Sequence, residues 1–185
     1  MRRALSLTLV LMLVAGMAFA QGIVGIYSDI SGVDCALLDV SPGLTAYYIV
    51  HTHTMGATAC QYIAAKPDCM TATWLSDTNP FPITIGSSQT GVSVGYGACR
   101  EAPIHVQTIN YFTMGTTPAC CWYPVTCDPL GLNACFNNAI DTVDCAFQPD
   151  VAMPGLGMIN ANQSCICSVP VESTTWGGVK ALYAE

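Results

Sequence analysis

The sequence predicts an all-β, disulfide-stapled β-sandwich carrying a short C-terminal tail. Three observations predict it: apolar residues recur with period 2 wherever a period is clear, short apolar runs are punctuated by Pro, Gly and Asp clusters, and eleven cysteines follow an export leader.

The leader comes first. Met1-Arg2-Arg3, an apolar run over 4–17 and the small-x-small stretch Ala18-Phe19-Ala20 form the three parts of a signal peptide over 1–20. Its apolar run is shorter than the roughly 18 to 20 residues that cross a bilayer. No later run approaches that length, so the processed chain is expected to lack a transmembrane segment and to be secreted, extracellular or held at the cell surface. The domain reading is a signal peptide over 1–20, one sandwich over 21–170 and a tail over 171–185.

The strands are read in order. Residues 44–53 alternate, with Leu44, Ala46, Tyr48 and Val50 on one face and Thr45, Tyr47, Ile49, His51 and His53 on the other. Residues 104–113 repeat the pattern, Ile104, Val106, Thr108, Asn110 and Phe112 opposing His105, Gln107, Ile109, Tyr111 and Thr113. β-Branched and aromatic residues fill both. Shorter strands are expected at 23–27, 36–40, 61–65, 71–75, 83–85, 92–96, 122–126, 139–147 and 157–160. Ser41-Pro42-Gly43, Lys66-Pro67-Asp68, the 77–82 cluster, Gly86-Ser87-Ser88 and Asp128-Pro129-Leu130-Gly131 supply the turns between them. Helix is expected only in the tail, where Thr174-Thr175 would cap a turn carrying Trp176, Val179 and Tyr183 and where Gly177-Gly178 weaken it.

Charge narrows the partners. Removing Arg2 and Arg3 takes the formal charge from −7 to −9 and leaves Lys66, Arg100 and Lys180 as fixed cations. Such a surface repels nucleic acid. No cofactor is expected.

All eleven cysteines lie beyond the leader: Cys35, Cys60, Cys69, Cys99, Cys120, Cys121, Cys127, Cys135, Cys145, Cys165 and Cys167. In an exported chain they are disulfide candidates, each bridge adding about 2 to 4 kcal/mol. Cys120 and Cys121 should bind different partners, because neighbours in a strand point to opposite faces, whereas Cys165 and Cys167 share one. The odd count leaves one thiol unpaired or joined between molecules, the latter giving covalent dimers.

Candidate chemistry is sparse. His51 and His53 leave one strand face about 6.5 to 7 Å apart, and with His105 they form a candidate metal-ligand set. Gly91-Val92-Ser93-Val94-Gly95 matches a nucleophile-elbow pattern, but it alternates as a strand and no helix follows. The acidic stretch Asp141-Thr142-Val143-Asp144, with Asp128 and Asp150, lacks the donor spacing of a calcium loop. Trp74, Trp122, Trp176 and Tyr47 are candidate platforms for carbohydrate stacking.

Two stretches carry a resemblance. Val24-Gly25-Ile26-Tyr27-Ser28-Asp29 and the end that runs from Val169 through Trp176-Gly177-Gly178-Val179-Lys180-Ala181-Leu182-Tyr183 resemble a group of small secreted bacterial proteins of unassigned function. Tyr96-Gly97-Ala98-Cys99 and Val143-Asp144-Cys145 also have counterparts there. The resemblance implies no catalytic residue; it implies that the tail is a sorting or attachment segment. More distantly, residues 44–65 are similar to the opening strands of immunoglobulin-like or cohesin-like sandwiches, which implies a fold and no function.

The functional expectation is a secreted or cell-surface module without enzymatic activity, structural, adhesive or binding in role. Its partners would be a surface component, a second copy or a carbohydrate. The alternatives are a carbohydrate-binding module and a metal-dependent hydrolase built on the three histidines.

Overall fold

The two longest alternating runs pair with one another. The computed structural model describes residues 22–167; the leader expected over 1–20 and the tail expected over 171–185 lie outside them. The strands are β1 (Ile23–Tyr27), β2 (Ala36–Leu37), β3 (Pro42–Thr52), β4 (Ala57–Tyr62), β5 (Thr73–Thr78), β6 (Ile83–Ser87), β7 (Gly91–Arg100), β8 (Ile104–Met114), β9 (Cys121–Pro124), β10 (Ile140–Asp144), β11 (Pro149–Pro154) and β12 (Leu156–Ile159). β3 runs antiparallel to β8 from Pro42 opposite Met114 to His51 opposite Ile104.

A bulge corrects the predicted faces of β8. Ile49 pairs with Gln107 and Val50 with His105, so Val106 is an extra residue and the alternation reverses there. Ile104 and Val106 are buried, and then Gln107, Ile109, Tyr111 and Thr113 are buried instead of Thr108, Asn110 and Phe112. A one-residue slip moves every following side chain to the other face.

Nine strands form one sheet in the order β5-β8-β3-β1-β11-β10-β4-β7-β6. Its two halves meet at a short parallel pairing of β1 with β11, Ile23 opposite Met153 and Val24 opposite Pro154. Side chains of both halves share one core cluster, including Tyr47, Ile49, Ile109 and Tyr111 from the first and Tyr62, Val94, Tyr96 and Ile140 from the second. The halves therefore face each other as a sandwich. A three-stranded sheet, β2-β12-β9, adds Leu37, Ile159, Cys121 and Tyr123 to the same core.

β11 is absent from the sequence expectation; prolines stand at both its ends, Pro149 and Pro154. The expected strand over 139–147 stops at Asp144. Its carboxylate accepts the N–H groups of Ala146 and Gln148, each at 2.8 Å, and Phe147 takes a positive φ of 59° to close the turn into β11.

The core is rich in tyrosine, and its hydroxyls are paired. The Gln89 amide donates to the Tyr111 hydroxyl at 3.3 Å, Tyr111 and Tyr123 hydroxyls meet at 2.6 Å, and Tyr123 donates to the Ala64 carbonyl at 2.9 Å. Tyr47 donates to the Leu38 carbonyl and Tyr62 to Gln107 Oε1, both at 2.9 Å. Such chains polarise one another and specify a single packing. Tyr47, a sugar-stacking candidate by sequence, is 1% exposed and belongs to this core.

Ten of the eleven cysteines pair as Cys35–Cys167, Cys69–Cys121, Cys99–Cys145, Cys120–Cys165 and Cys127–Cys135. Adjacent Cys120 and Cys121 do take different partners. The free edges of the large sheet, β5 and β6, are linked by side chains: Asp77 of β5 accepts the Ser88 N–H at 2.7 Å and the Ser88 hydroxyl at 2.8 Å in the turn after β6.

Candidate functional site

In β4, β6, β7 and β10 the inward residues of the alternation serve the core, so Ala59, Gln61, Ile83, Ile85, Ser93, Gly95, Asp141 and Val143 fall on the outer face. This face is apolar where surfaces are usually charged. Ile83 is 57% and Ile85 73% exposed, and no charged residue occurs between Thr78 and Cys99.

A small covalently closed loop leans over the face. Cys127–Cys135 closes it, and Asp128, nearly buried, accepts the Gln61 amide of β4 and the Leu130 N–H, both at 2.9 Å. The Asn133 N–H donates to both Asp141 oxygens at 3.1 Å. Gly91 permits this approach: its φ is +119°, and a Cβ there would stand 2.5 Å from the Asp128 carboxylate. Pinned on two sides, the loop holds Leu132 out, 81% exposed. Between Leu132 and the sheet lies a hollow of about 250 Å³ lined by Ile83, Ile85 and Val143 together with the polar Gln61, Ser93 and Asp141. Beyond Leu132 a second hollow of about 190 Å³ is bounded by Asp141, Pro149, Asp150 and Val151.

The arrangement suits contact with a partner. Apolar patches of this kind, rimmed by polar groups, mark interaction surfaces. Ser93 sits here in the middle of β7 with Gln61 and Ile85 as cross-strand neighbours, in the strand setting the sequence suggests.

No family model matches the chain, and no curated protein does. Among solved structures it is similar to the sixth cohesin of Acetivibrio cellulolyticus scaffoldin B, in complex with a Cel5 dockerin mutant, at TM-score 0.44 and 9% identity over 78% of this chain and 100% of that one. A cohesin module from the Clostridium perfringens family 33 glycoside hydrolase gives 0.46 and 5% over 76% and 99%. A CaDoc0917–CaCohA2 complex gives 0.44 and 11% over 76% and 99%.

The three imidazoles do not converge. His51 faces inward, fully buried, with Nδ1 3.3 Å from the Tyr96 hydroxyl. His53 stands exposed past the end of β3 at φ 58°, its Nδ1 3.0 Å from Thr52 Oγ1. His105 shares the opposite face with Val50 and Tyr48, stacked edge-on against Tyr48 with ring centres 5.6 Å apart and with its Nε2 2.9 Å from Thr108 Oγ1. Burial lowers the His105 imidazole below its ordinary value, against a backbone hydrogen bond at Gln107 that raises it. The bulge at Val106 and the end of β3 undo the spacing that strict alternation implies. Among the described residues no group of three or more His, Cys, Asp or Glu side chains is placed to hold a metal ion.

The acidic stretch is divided in the same way, with Asp128 and Asp141 pinning the loop and Asp144 making a turn. Trp122 is 57% exposed on the small sheet, and Trp74 is 36% exposed on the edge strand β5, its Nε1 donating to Asp77 at 3.1 Å. Trp176 is outside the described residues. Sequence reasoning missed the face itself. The uncharged run from Thr78 to Cys99 was the available signal, and only the fold shows that it adjoins Val143 and Leu132.

The eleventh cysteine is Cys60 on β4, 2% exposed and free. Burial pushes its thiol up to about 12, although a hydrogen bond with Tyr96 lowers it. A protonated thiol closed off from solvent does not join two molecules, so the expected covalent dimer is set aside. A thiol reagent is expected to find no reactive group in the native protein and one per chain after unfolding without reductant; a reactive native thiol would contradict this placement. In alkaline solution the folded state holds the Cys60 proton that the unfolded chain gives up near 9. Its contribution is therefore whole below that value and drains away as pH rises to about 12. Buried Tyr62, Tyr96 and Tyr123, also raised by desolvation, act in the same direction. Denaturant midpoints should fall across that window, and a flat profile would count against the burial.

Proposed function

We propose that this chain is a binding module of the cell exterior, adhesive or structural and without enzymatic turnover, that engages its partner through the face of β6, β7, β4 and β10 beneath Leu132. The observation that carries the reading is the largely apolar face, its carboxylate Asp141 taken up by the Asn133 N–H, held open by a disulfide-closed loop on an otherwise acidic protein. Five disulfides support an oxidising location. The partner chemistry that fits is an apolar segment bearing a cation, the apolar part in the first hollow and the charge between Asp141 and Asp150 in the second. The tail over 171–185 serves as the attachment segment of the module.

Purified protein added to envelopes of its native host tests the reading. Saturable binding is expected, with Leu132→Asp weakening it about tenfold or more while thermal unfolding stays within a few degrees, because Leu132 makes its contacts outside the core. Equal binding by the variant, or recovery of the native protein only from the cytoplasm, would overturn it. Deleting residues 175–185 should release the protein into the medium, and unchanged surface retention would dismiss the attachment role.

A further inference from the structure

Sheet edges are places where a chain can add another strand, and proteins usually blunt them with charge, proline or a covering segment. The β6 edge pairs only with β7 and carries no charge in its five residues, Ile-Thr-Ile-Gly-Ser. The opposite edge, β5, contains Asp77.

The hairpin shows which backbone groups of β6 are open. The Ser87 carbonyl accepts the Thr90 N–H at 3.2 Å, so Ser87 faces β7. In an antiparallel strand the N–H and C=O of one residue point the same way and alternate residues point oppositely. Ile85 and Ile83 therefore also face β7, and Thr84 and Gly86 turn their backbone groups outward.

From this geometry we infer that two copies of the chain pair through β6, antiparallel, around a two-fold axis at Ile85. Thr84 of each copy then lies opposite Gly86 of the other, and the four outward groups of one strand meet those of its mate in four hydrogen bonds. Ile85 meets Ile85 of the second copy on the outer face, a β-branched cross-strand pair. An uncharged edge on an acidic molecule admits a second copy as the occupant, the one partner certain to carry the matching strand. The molecule carries a formal charge of −7 before leader removal, yet the stretch from Thr78 to Cys99 is uncharged, so like molecules approach here without opposed carboxylates in the contact.

The consequence for the proposed function is geometric. An axis perpendicular to the sheet leaves both outer faces on the same side, giving two adjacent copies of the Leu132 platform and a bivalent surface. A single strand pair buries less than the roughly 1,200 Å² of a stable interface, so the dimer is weak and concentration-dependent. This inference deepens the binding role proposed above and rests on it for its purpose, not for its geometry.

Sedimentation of the processed chain, residues 21–185, from about 1 μM to about 1 mM tests it. A reversible monomer–dimer equilibrium is expected, together with slower amide exchange at Thr84 and Gly86 as concentration rises. Thr84→Pro removes an outward N–H and leaves the bonds to β7 and the isoleucines in place, so it should weaken the dimer about tenfold or more without changing the melting temperature by more than a few degrees. Ile85→Lys, on an exposed side chain, should do the same and guards against a folding defect in the proline variant. Leu132→Asp should leave the dimer intact. A monomer at every concentration, a dimer indifferent to both edge variants, a dimer lost with Leu132→Asp, or an open-ended series of larger species would each overturn the pairing. Envelope binding by a strictly monomeric protein would remove the pairing alone, whereas a normal dimer that binds no envelope would remove the binding role alone.

Discussion

Complete reduction is expected to unfold this protein at ambient temperature. Each bridge contributes about 2 to 4 kcal/mol by restricting the unfolded chain, and a domain's whole stability is about 5 to 15 kcal/mol, so five bridges together rival the total. Their placement strengthens the expectation. Cys35–Cys167 spans 132 residues and joins the segment before β2 to the end of the described chain. Cys99–Cys145 ties the end of β7 to the β10–β11 turn, and Cys69–Cys121 with Cys120–Cys165 secures the start of β9 from two sides. The small sheet has few backbone bonds of its own: β12 meets β2 at two residue pairs and β9 at four. Far-ultraviolet circular dichroism before and after reduction, with thiols counted in parallel, checks the outcome. A full β spectrum with all eleven thiols titrated would show that the core alone suffices.

Asp39→Ala is expected to destabilise the fold by about 3 kcal/mol, the largest effect of any single polar truncation we anticipate. Asp39 is 2% exposed, and no cation neutralises it through any described contact. It is held instead by donors: the Gly115 N–H at 2.7 Å and the Thr117 hydroxyl. Asn160 then bonds its backbone, accepting the Asp39 N–H at 2.9 Å and donating to the Asp39 carbonyl at 2.9 Å and the Thr117 carbonyl at 2.8 Å. The knot joins the segment after β2, the end of β8 and the end of β12. Removing the carboxylate leaves the Gly115 N–H without its acceptor and the Thr117 hydroxyl with only Thr71 Oγ1 at 3.3 Å, and the cost is the desolvation of these donors. Asp39→Asn keeps one acceptor and should cost less. Denaturant titration with an unchanged slope checks both, and a loss below about 1 kcal/mol for alanine would mean that water replaces the carboxylate.

The strands that were legible in advance are those whose pattern is self-contained. β1 at 23–27 and the cores of β3, β7 and β8 follow from alternation and β-branched composition, which are local properties of a pleated chain. The failures share a cause. Val106 moves the buried set of β8 to the other face, Pro149 and Pro154 bound a strand that the expectation lacks, and His53 leaves its strand one residue too soon to share a face with His51. Each depends on a partner strand elsewhere in the chain.

The residues taken alone thus predict an export leader and an all-β, disulfide-stapled chain of acidic composition, because period, turn chemistry, cysteine count and charge need no neighbour to be read. Which cysteines meet, that Cys60 is the one left over, that the histidines part and that Ile83, Ile85, Val143 and Leu132 gather on one face were decided by tertiary structure. Those outcomes are distances between segments far apart in sequence, set by the pairing of β1 with β11 and by the covalent loop at Cys127–Cys135, and no local pattern contains them.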